Sequence, residues 1–257
     1  APLLVADMNG NIHALWVDDL SDKTGVLRHS AVPGNSFTQY EAWSASESLD
    51  IGGISPAAAV NATGLHMAYV RRVDTAERPA GVYYRHLPVG GVWSGERLIY
   101  ASRYLRGLDA EAANVSIAAA ETGRIVLAWD DPAREQVFAA FSDDNGANWA
   151  APIEIDRRAA ADSPTSVGPG GVEVGIGSGN TVITWRAGHQ PSQLCTQYFR
   201  SLPDGSANWS LPQAIPGLTE CFTTVHIVNS GGTLFLLGTV EPTESASGGT
   251  KPTIYLL

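Results

Sequence analysis

The sequence predicts an all-β fold, a β-propeller built from four-stranded antiparallel blades, and three observations carry that expectation. A unit of roughly 50–60 residues recurs four times and begins a fifth time, as in radially repeated sheets. Each copy opens on a glycine turn and a short strand that, in four of the five, ends in an aromatic residue. Each of the four complete copies carries a second anchor, a tryptophan further on, and in the third copy an acidic turn precedes it.

The opening turns come first. They are Asn9-Gly10-Asn11 before Ile12 to Trp16, Ala62-Thr63-Gly64 before Leu65 to Tyr69, and Thr122-Gly123 before Arg124 to Trp129. Ser178-Gly179-Asn180 precedes Thr181 to Trp185, and Ser230-Gly231-Gly232 precedes Thr233 to Leu237, which lacks the aromatic. Such pairs supply the positive φ angles of tight hairpins, so each marks a strand–turn–strand. The second anchor is Trp43-Ser44, Trp93-Ser94, Trp149-Ala150 and Trp209-Ser210, where the tryptophan is expected to open a strand. In the second copy the strands read Ser55–Asn61, Leu65–Arg72, Gly81–Leu87 and Val92–Tyr100, and no stretch sustains helical periodicity. The blades then fall near 1-50, 51-101, 112-156, 170-216 and 222-257, within a single domain. A β-sandwich spaces its strands similarly, but it does not require paired anchors in every unit. One meander has two apolar faces and cannot bury both alone, whereas neighbours packed radially can.

The acidic turn is Ser142-Asp143-Asp144-Asn145-Gly146-Ala147-Asn148-Trp149, which fits Ser-x-Asp-x-Gly-x-x-Trp throughout. On Ser142, Asp144, Gly146 and Trp149 the chain resembles the sialidase (neuraminidase) superfamily of Asp-box, or BNR-repeat, propellers. The resemblance extends over the chain in period, yet only one blade keeps the strict motif; Ser201 to Trp209 is a degenerate copy. It implies a six-bladed ring, of which about five blades are visible here, and a box that is structural rather than catalytic. The last blade reads as ending on its third strand, Thr253–Leu257, so a missing segment or a partner chain would complete it. A sialidase also needs an arginine triad, a tyrosine–glutamate nucleophile pair and an aspartic acid/base. The family's Arg-Ile-Pro or Arg-Leu-Pro motif is absent: Arg85-His86-Leu87-Pro88 has an intervening residue and leads into the wrong turn. The resemblance therefore assigns no catalytic residue, and the enzyme reading is secondary.

Composition narrows the partners. A formal net charge of −10 over 257 residues argues against a nucleic-acid backbone. No apolar run is long enough to span a membrane, and no basic-then-apolar leader opens the chain. Cys195 and Cys221 fall in elements that lie close in a propeller, so they form either a disulfide, which implies an oxidising compartment, or two buried thiols. Abundant small residues suit an extracellular or cell-surface protein, with the periplasm as a further location. Asn61-Ala62-Thr63, Asn114-Val115-Ser116 and Asn208-Trp209-Ser210 match the glycosylation sequon.

Ligand chemistry is expected on the longer loops, opposite the hairpin turns. These carry Asp18, Asp19 and Asp22; Arg71, Arg72 and Asp74; Asp130, Asp131 and Arg134; Arg186 and His189; Arg103, Tyr104, Arg106 and Asp109; Arg157, Arg158 and Asp162; and Glu220. Arg72, Asp131 and Arg186 follow the repeated aromatic in three blades and are the candidate ligand-binding set, suited to a carboxylate-bearing or hydroxyl-rich ligand. The six histidines show no zinc spacing, so no metal site is expected. Asp18-Asp19-Leu20-Ser21-Asp22 offers calcium-type oxygens but reads first as an acidic solvated turn, and no cofactor is expected. The function that follows is a glycan- or protein-recognition module acting through its loop-rich face. The alternatives are a sialidase-type glycoside hydrolase completed outside this chain and a structural unit of a surface assembly.

Overall fold

The computed structural model describes residues 2–18, 24–109, 112–160, 162, 165–189, 195–206, 208–216, 218, 221–239 and 252–256, the last five by backbone alone. Among the described residues nineteen strands form five antiparallel sheets in strict sequence order, a β-propeller. The first holds β1 (Leu3–Ala6), β2 (Asn11–Asp18), β3 (Val26–Pro33) and β4 (Glu47–Ile51). The second holds β5 (Gly53–Asn61), β6 (Gly64–Arg71), β7 (Gly81–Pro88) and β8 (Arg97–Ala101), the third β9 (Val115–Ala119), β10 (Ile125–Asp131), β11 (Gln136–Ser142) and β12 (Ile153–Arg157). The fourth holds β13 (Gly170–Gly177), β14 (Asn180–Ala187), β15 (Thr196–Pro203) and β16 (Gln213–Ala214). The fifth is three-stranded among the described residues: β17 (Thr224–Ser230), β18 (Thr233–Thr239) and β19 (Pro252–Leu256). The chain divides into two compact units, Ala1–Leu127 with Ala140–Pro152, and Ala128–Ala139 with Ile153–Leu257. In the first unit β5 packs on both β1 and β9; in the second, β13 packs on β17.

The Trp-Ser anchor does not open a strand. Ser94 N–H donates to the His86 carbonyl (2.8 Å) while its Oγ accepts from His86 N–H (2.9 Å), and β8 begins only at Arg97. Ser44 closes the same ring on Ala31, and Ser210 on Ser201. The serine hydroxyl stands in for a strand carbonyl, so the chain crosses back before the fourth strand resumes pairing. That strand then pairs beyond a bulge, between Leu27 and Arg28, Val82 and Tyr83, or Val137 and Phe138.

The bulge aims a carboxylate at the next sheet. Asp50, opposite Leu27, accepts from the Tyr69 hydroxyl (2.9 Å) and pairs with Arg71 and Arg78. Asp156, opposite Val137, accepts from the Trp185 indole N–H and pairs with His189 Nε2 (2.7 Å). Tyr69 and Trp185 are the repeated aromatics of the second and fourth sheets, and both are fully buried. Arginines reinforce the two joints alike: Arg85 Nη1 reaches the Leu49 carbonyl (2.7 Å), and Arg200 Nη1 the Ile155 carbonyl (3.1 Å). Leu15, Leu27, Leu49, Met67, Tyr69 and Tyr83 fill the first joint. In the second unit Cys195 and Cys221 are disulfide-bonded, with Cα atoms 5.8 Å apart.

The Ser142–Trp149 turn closes on its own side chains. Ser142 Oγ donates to Asp144 Oδ1 (2.8 Å) and accepts from Gly146 N–H (2.9 Å), and Asp144 accepts twice from Asn148 (both 2.7 Å). The Trp149 indole donates to the Gly146 carbonyl (3.1 Å). Gly146 sits at φ +83, and a Cβ there would lie 2.2 Å from the Tyr84 hydroxyl. Tyr84 also meets His66 Nδ1 (2.7 Å), while His66 Nε2 meets Asn61 Oδ1 (3.0 Å) and Asn61 Nδ2 donates to Asn145 Oδ1 (3.0 Å). Asn61 is thus buried in a network, which removes the first sequon as an acceptor. Gly146→Ala is expected to cost at least the ~1–3 kcal/mol of a strained backbone site, read as a lowered urea midpoint. An unchanged midpoint would mean that the turn tolerates a side chain and is not the rigid element described.

Two histidines titrate in opposite senses. Both ring nitrogens of His189 face carboxylates, Asp156 and Asp162 (3.2 Å), so both must carry protons, and the Asp156 hydrogen bond first, with the Asp162 charge, raises its pKa. That contribution is complete below the unfolded value of ~6.5 and fades as pH climbs through the raised folded value. Burial first, then the nearby His86 charge, pushes His66 down to about 3, so the unfolded chain binds its proton first and stability falls as pH drops below neutral. His189→Gln is expected to be less stable than the wild-type chain at pH 6, with the gap shrinking as pH rises. A gap that stays constant across that range would show that the imidazole is not charged in the fold.

Candidate functional site

The repeated aromatic occupies one register in the sheets: Trp16 pairs with Arg28, Tyr69 with Tyr83 and Trp185 with Tyr198. Tyr69, Trp129 and Trp185 are fully buried. Trp16 is only half-buried, and it opens onto a groove of about 1550 Å³ lined by the first sheet, by the connection between β3 and β4 and by Ser55 and Pro56 of β5. Its walls are Leu4, Ala14 and Ser30 of the sheet, with Phe37, Tyr40, Glu41 and Trp43 from the connection between β3 and β4. Leu4 (48% exposed), Phe37 (42%) and Tyr40 (86%) make this a concentration of exposed apolar surface.

The polar edges of both groove tryptophans are already engaged. Trp16 Nε1 donates to Asp18 Oδ1 (2.9 Å), and Asp18 is paired in turn with Arg28. Trp43 Nε1 donates to the Phe37 carbonyl (3.2 Å), and the two rings lie 5.8 Å apart at 59°. Asp18 therefore supplies from within the same strand what Asp50 and Asp156 supply to Tyr69 and Trp185 from the preceding sheet. The indole has no unmet hydrogen bond that would require another sheet to cover it. Ser30 and Ser44 bond to each other and to backbone, so the groove presents aromatic and aliphatic surface, with Tyr40, Glu41, Ser46 and Ser55 as its further polar residues.

The candidate ligand-binding set lies elsewhere. Arg72, just past β6, donates to the carbonyls of Thr24 and Leu108 (both 3.3 Å) and ties two loops of the first unit. In the second unit Asp131 is fully buried at the end of β10, and Arg186 is half-buried within β14. Relative to the repeated aromatic these residues stand three, two and one places on, so Asp131 falls on the opposite strand face from the register of the other two. Arg71 is consumed by Asp50, Asp130 accepts from Gly171 N–H (2.7 Å), and Arg106 faces Asp74 (3.5 Å). Asp19, Asp22 and Glu220 lie outside the described residues. No group of three or more metal-ligating side chains occurs among the described residues, and no described helix is long and apolar enough to cross a membrane. Sequence reasoning missed the groove because Phe37 and Tyr40 sit in an irregular connection; its available signal was the density of aromatics between Phe37 and Trp43.

No family model matches the chain, and no curated protein does. Solved structures do. The endo-arabinase from Bacteroides thetaiotaomicron VPI-5482 has a TM-score of 0.51 at 10% identity, covering 100% of this chain and 93% of that one. The catalytic domain of the Coprinopsis cinerea GH62 α-L-arabinofuranosidase has a TM-score of 0.50 at 11% identity, with coverage of 99% and 89%. YjhT has a TM-score of 0.52 at 10% identity, with coverage of 99% and 80%. At such identities these likenesses show the propeller fold alone. None of the three is described as a sialidase, so the sialidase resemblance is supported only at the level of the propeller.

Proposed function

We propose that this chain is a carbohydrate-recognition propeller whose binding surface is the aromatic groove on the first sheet. The observation that carries this is Trp16, left open in the register where Tyr69, Trp129 and Trp185 are sealed. A pyranose or furanose ring has apolar C–H faces that stack on aromatic side chains, and its hydroxyls suit a rim of Tyr40 and Glu41. The solved neighbours described as an endo-arabinase and an arabinofuranosidase support a carbohydrate as the ligand class. The disulfide supports an oxidising, extracellular location.

Recognition is favoured over hydrolysis at this groove by its acids. Retaining and inverting glycosidases alike use two carboxyl groups flanking the scissile bond, and Glu41 is the one acid lining the groove. A sialidase-type site is disfavoured there by the same wall, which contains no arginine to fork onto a carboxylate. A hydrolytic centre elsewhere in the chain would have the solved neighbours as its support.

The test is affinity electrophoresis through gels containing arabinan, xylan or β-glucan. Trp16→Ala and Tyr40→Ala are each expected to weaken retardation about threefold to tenfold, the effect of ~0.5–1.5 kcal/mol of lost aromatic contact. Equal retardation of wild type and both variants would sink the assignment of this groove. Release of new reducing ends by the wild-type chain would instead establish the hydrolase.

A further inference from the structure

Resting on that reading, the geometry points to an uncharged polysaccharide segment as the occupant of the groove, with uronate-bearing and sialylated chains excluded. The argument is one of charge complementarity. Lysine, arginine and histidine are absent from the lining among the described residues, and the acid present there, Glu41, stands exposed at the wall. The cation nearest to Trp16 in register is Arg28, and its guanidinium is neutralised by Asp18. An anionic sugar entering here would exchange hydration for aromatic faces and one like charge, with no fork to receive its carboxylate. The chain's net charge of −10 adds long-range repulsion against any polyanion.

The aromatic geometry selects in the same direction. Because both indole N–H groups are spent on Asp18 and on the Phe37 carbonyl, Trp16 and Trp43 offer faces rather than donors. Faces stack on the C–H side of a sugar and bring almost no hydrogen-bond discrimination among its hydroxyls. Selection therefore rests on the shape of the chain and on its lack of charge. Glu41 is the specificity-determining side chain: as a carboxylate it accepts from sugar hydroxyls and repels sugar acids.

Retardation should be compared in gels of neutral arabinan, xylan or β-glucan and in gels of polygalacturonate or polysialate. The wild-type chain is expected to be retarded at least about tenfold more by a neutral polymer, a ratio that should persist to about 0.5 M salt, where the Debye length shrinks to a few ångström. Glu41→Lys is expected to gain retardation by the anionic polymers, with that gain abolished by the same salt. Anionic polymers binding the wild-type chain as well as neutral ones would overturn the uncharged-ligand inference and leave carbohydrate recognition standing. Indifference of the anionic polymers to Glu41→Lys at low salt would overturn the role of Glu41. Retardation by no polymer at all would overturn the recognition reading itself and this inference with it.

Discussion

The joints between sheets depend on one constraint: a large aromatic with a polar edge cannot be buried unless that edge is satisfied. Tyr69 and Trp185 each present such an edge at the end of the second strand of their sheet, and each finds a carboxylate on the fourth strand of the sheet before. The bulge makes this possible, because without the extra residue the Asp50 and Asp156 side chains would fall to the other face. A desolvated carboxylate then demands a cation. At Asp50 the partners are Arg71 and Arg78, whose charge is permanent; at Asp156 the partner is His189, whose charge is not. The same clasp is thus insensitive to pH around neutrality in one unit and sensitive in the other.

At Trp16 the acid comes from the same strand. Its strand carries Asp18 two residues on, on the same face, and the indole bonds there. Arg28, its cross-strand neighbour, neutralises that acid, so aspartate, arginine and tryptophan form the clasp within a single sheet. The half-buried Trp16 ring lines the groove. A side chain that is core elsewhere in the repeat is here the floor of a groove, with the polar bookkeeping of burial already complete.

Much of this architecture is legible in the sequence because turn chemistry is local. The glycine pairs locate all five hairpins. The Ser142–Trp149 turn is equally readable, since the hydrogen bonds of its Ser142, Asp144 and Trp149 side chains stay within four residues. The Trp-Ser anchors were visible as landmarks but not in their role. What they do depends on a serine hydroxyl reaching a strand eight or more residues earlier, and spacing alone does not reveal that. The clasps are more remote still: Asp50 and Tyr69 are 19 residues apart, Asp156 and Trp185 are 29. Arg72, Asp131 and Arg186 stood out because they follow the aromatics, yet a strand reverses face at every residue, and counting from the aromatic alone mixes the two faces.

The acidic character of the chain reads differently once its carboxylates are followed to their partners. Asp7 accepts from the backbone of Asn9 and Asn11 and from the Asn11 side chain, and Asp144 holds Asn148 in the same way. Asp130 anchors Gly171, Asp50 and Asp156 hold aromatic edges, and Asp18 holds Trp16. Asp7, against the opposing effect of burial, and Asp144 are held ionised by hydrogen bonds led by those from Asn11 and Asn148, whereas burial raises the pKa of Asp50. Asp7 and Asp144 are therefore poor general acids, since a general acid must hold a proton near neutral pH and release it to a substrate. These acids serve the scaffold. Glu41, by contrast, stands on the wall of the groove, where its carboxylate is exposed beside the aromatic side chains.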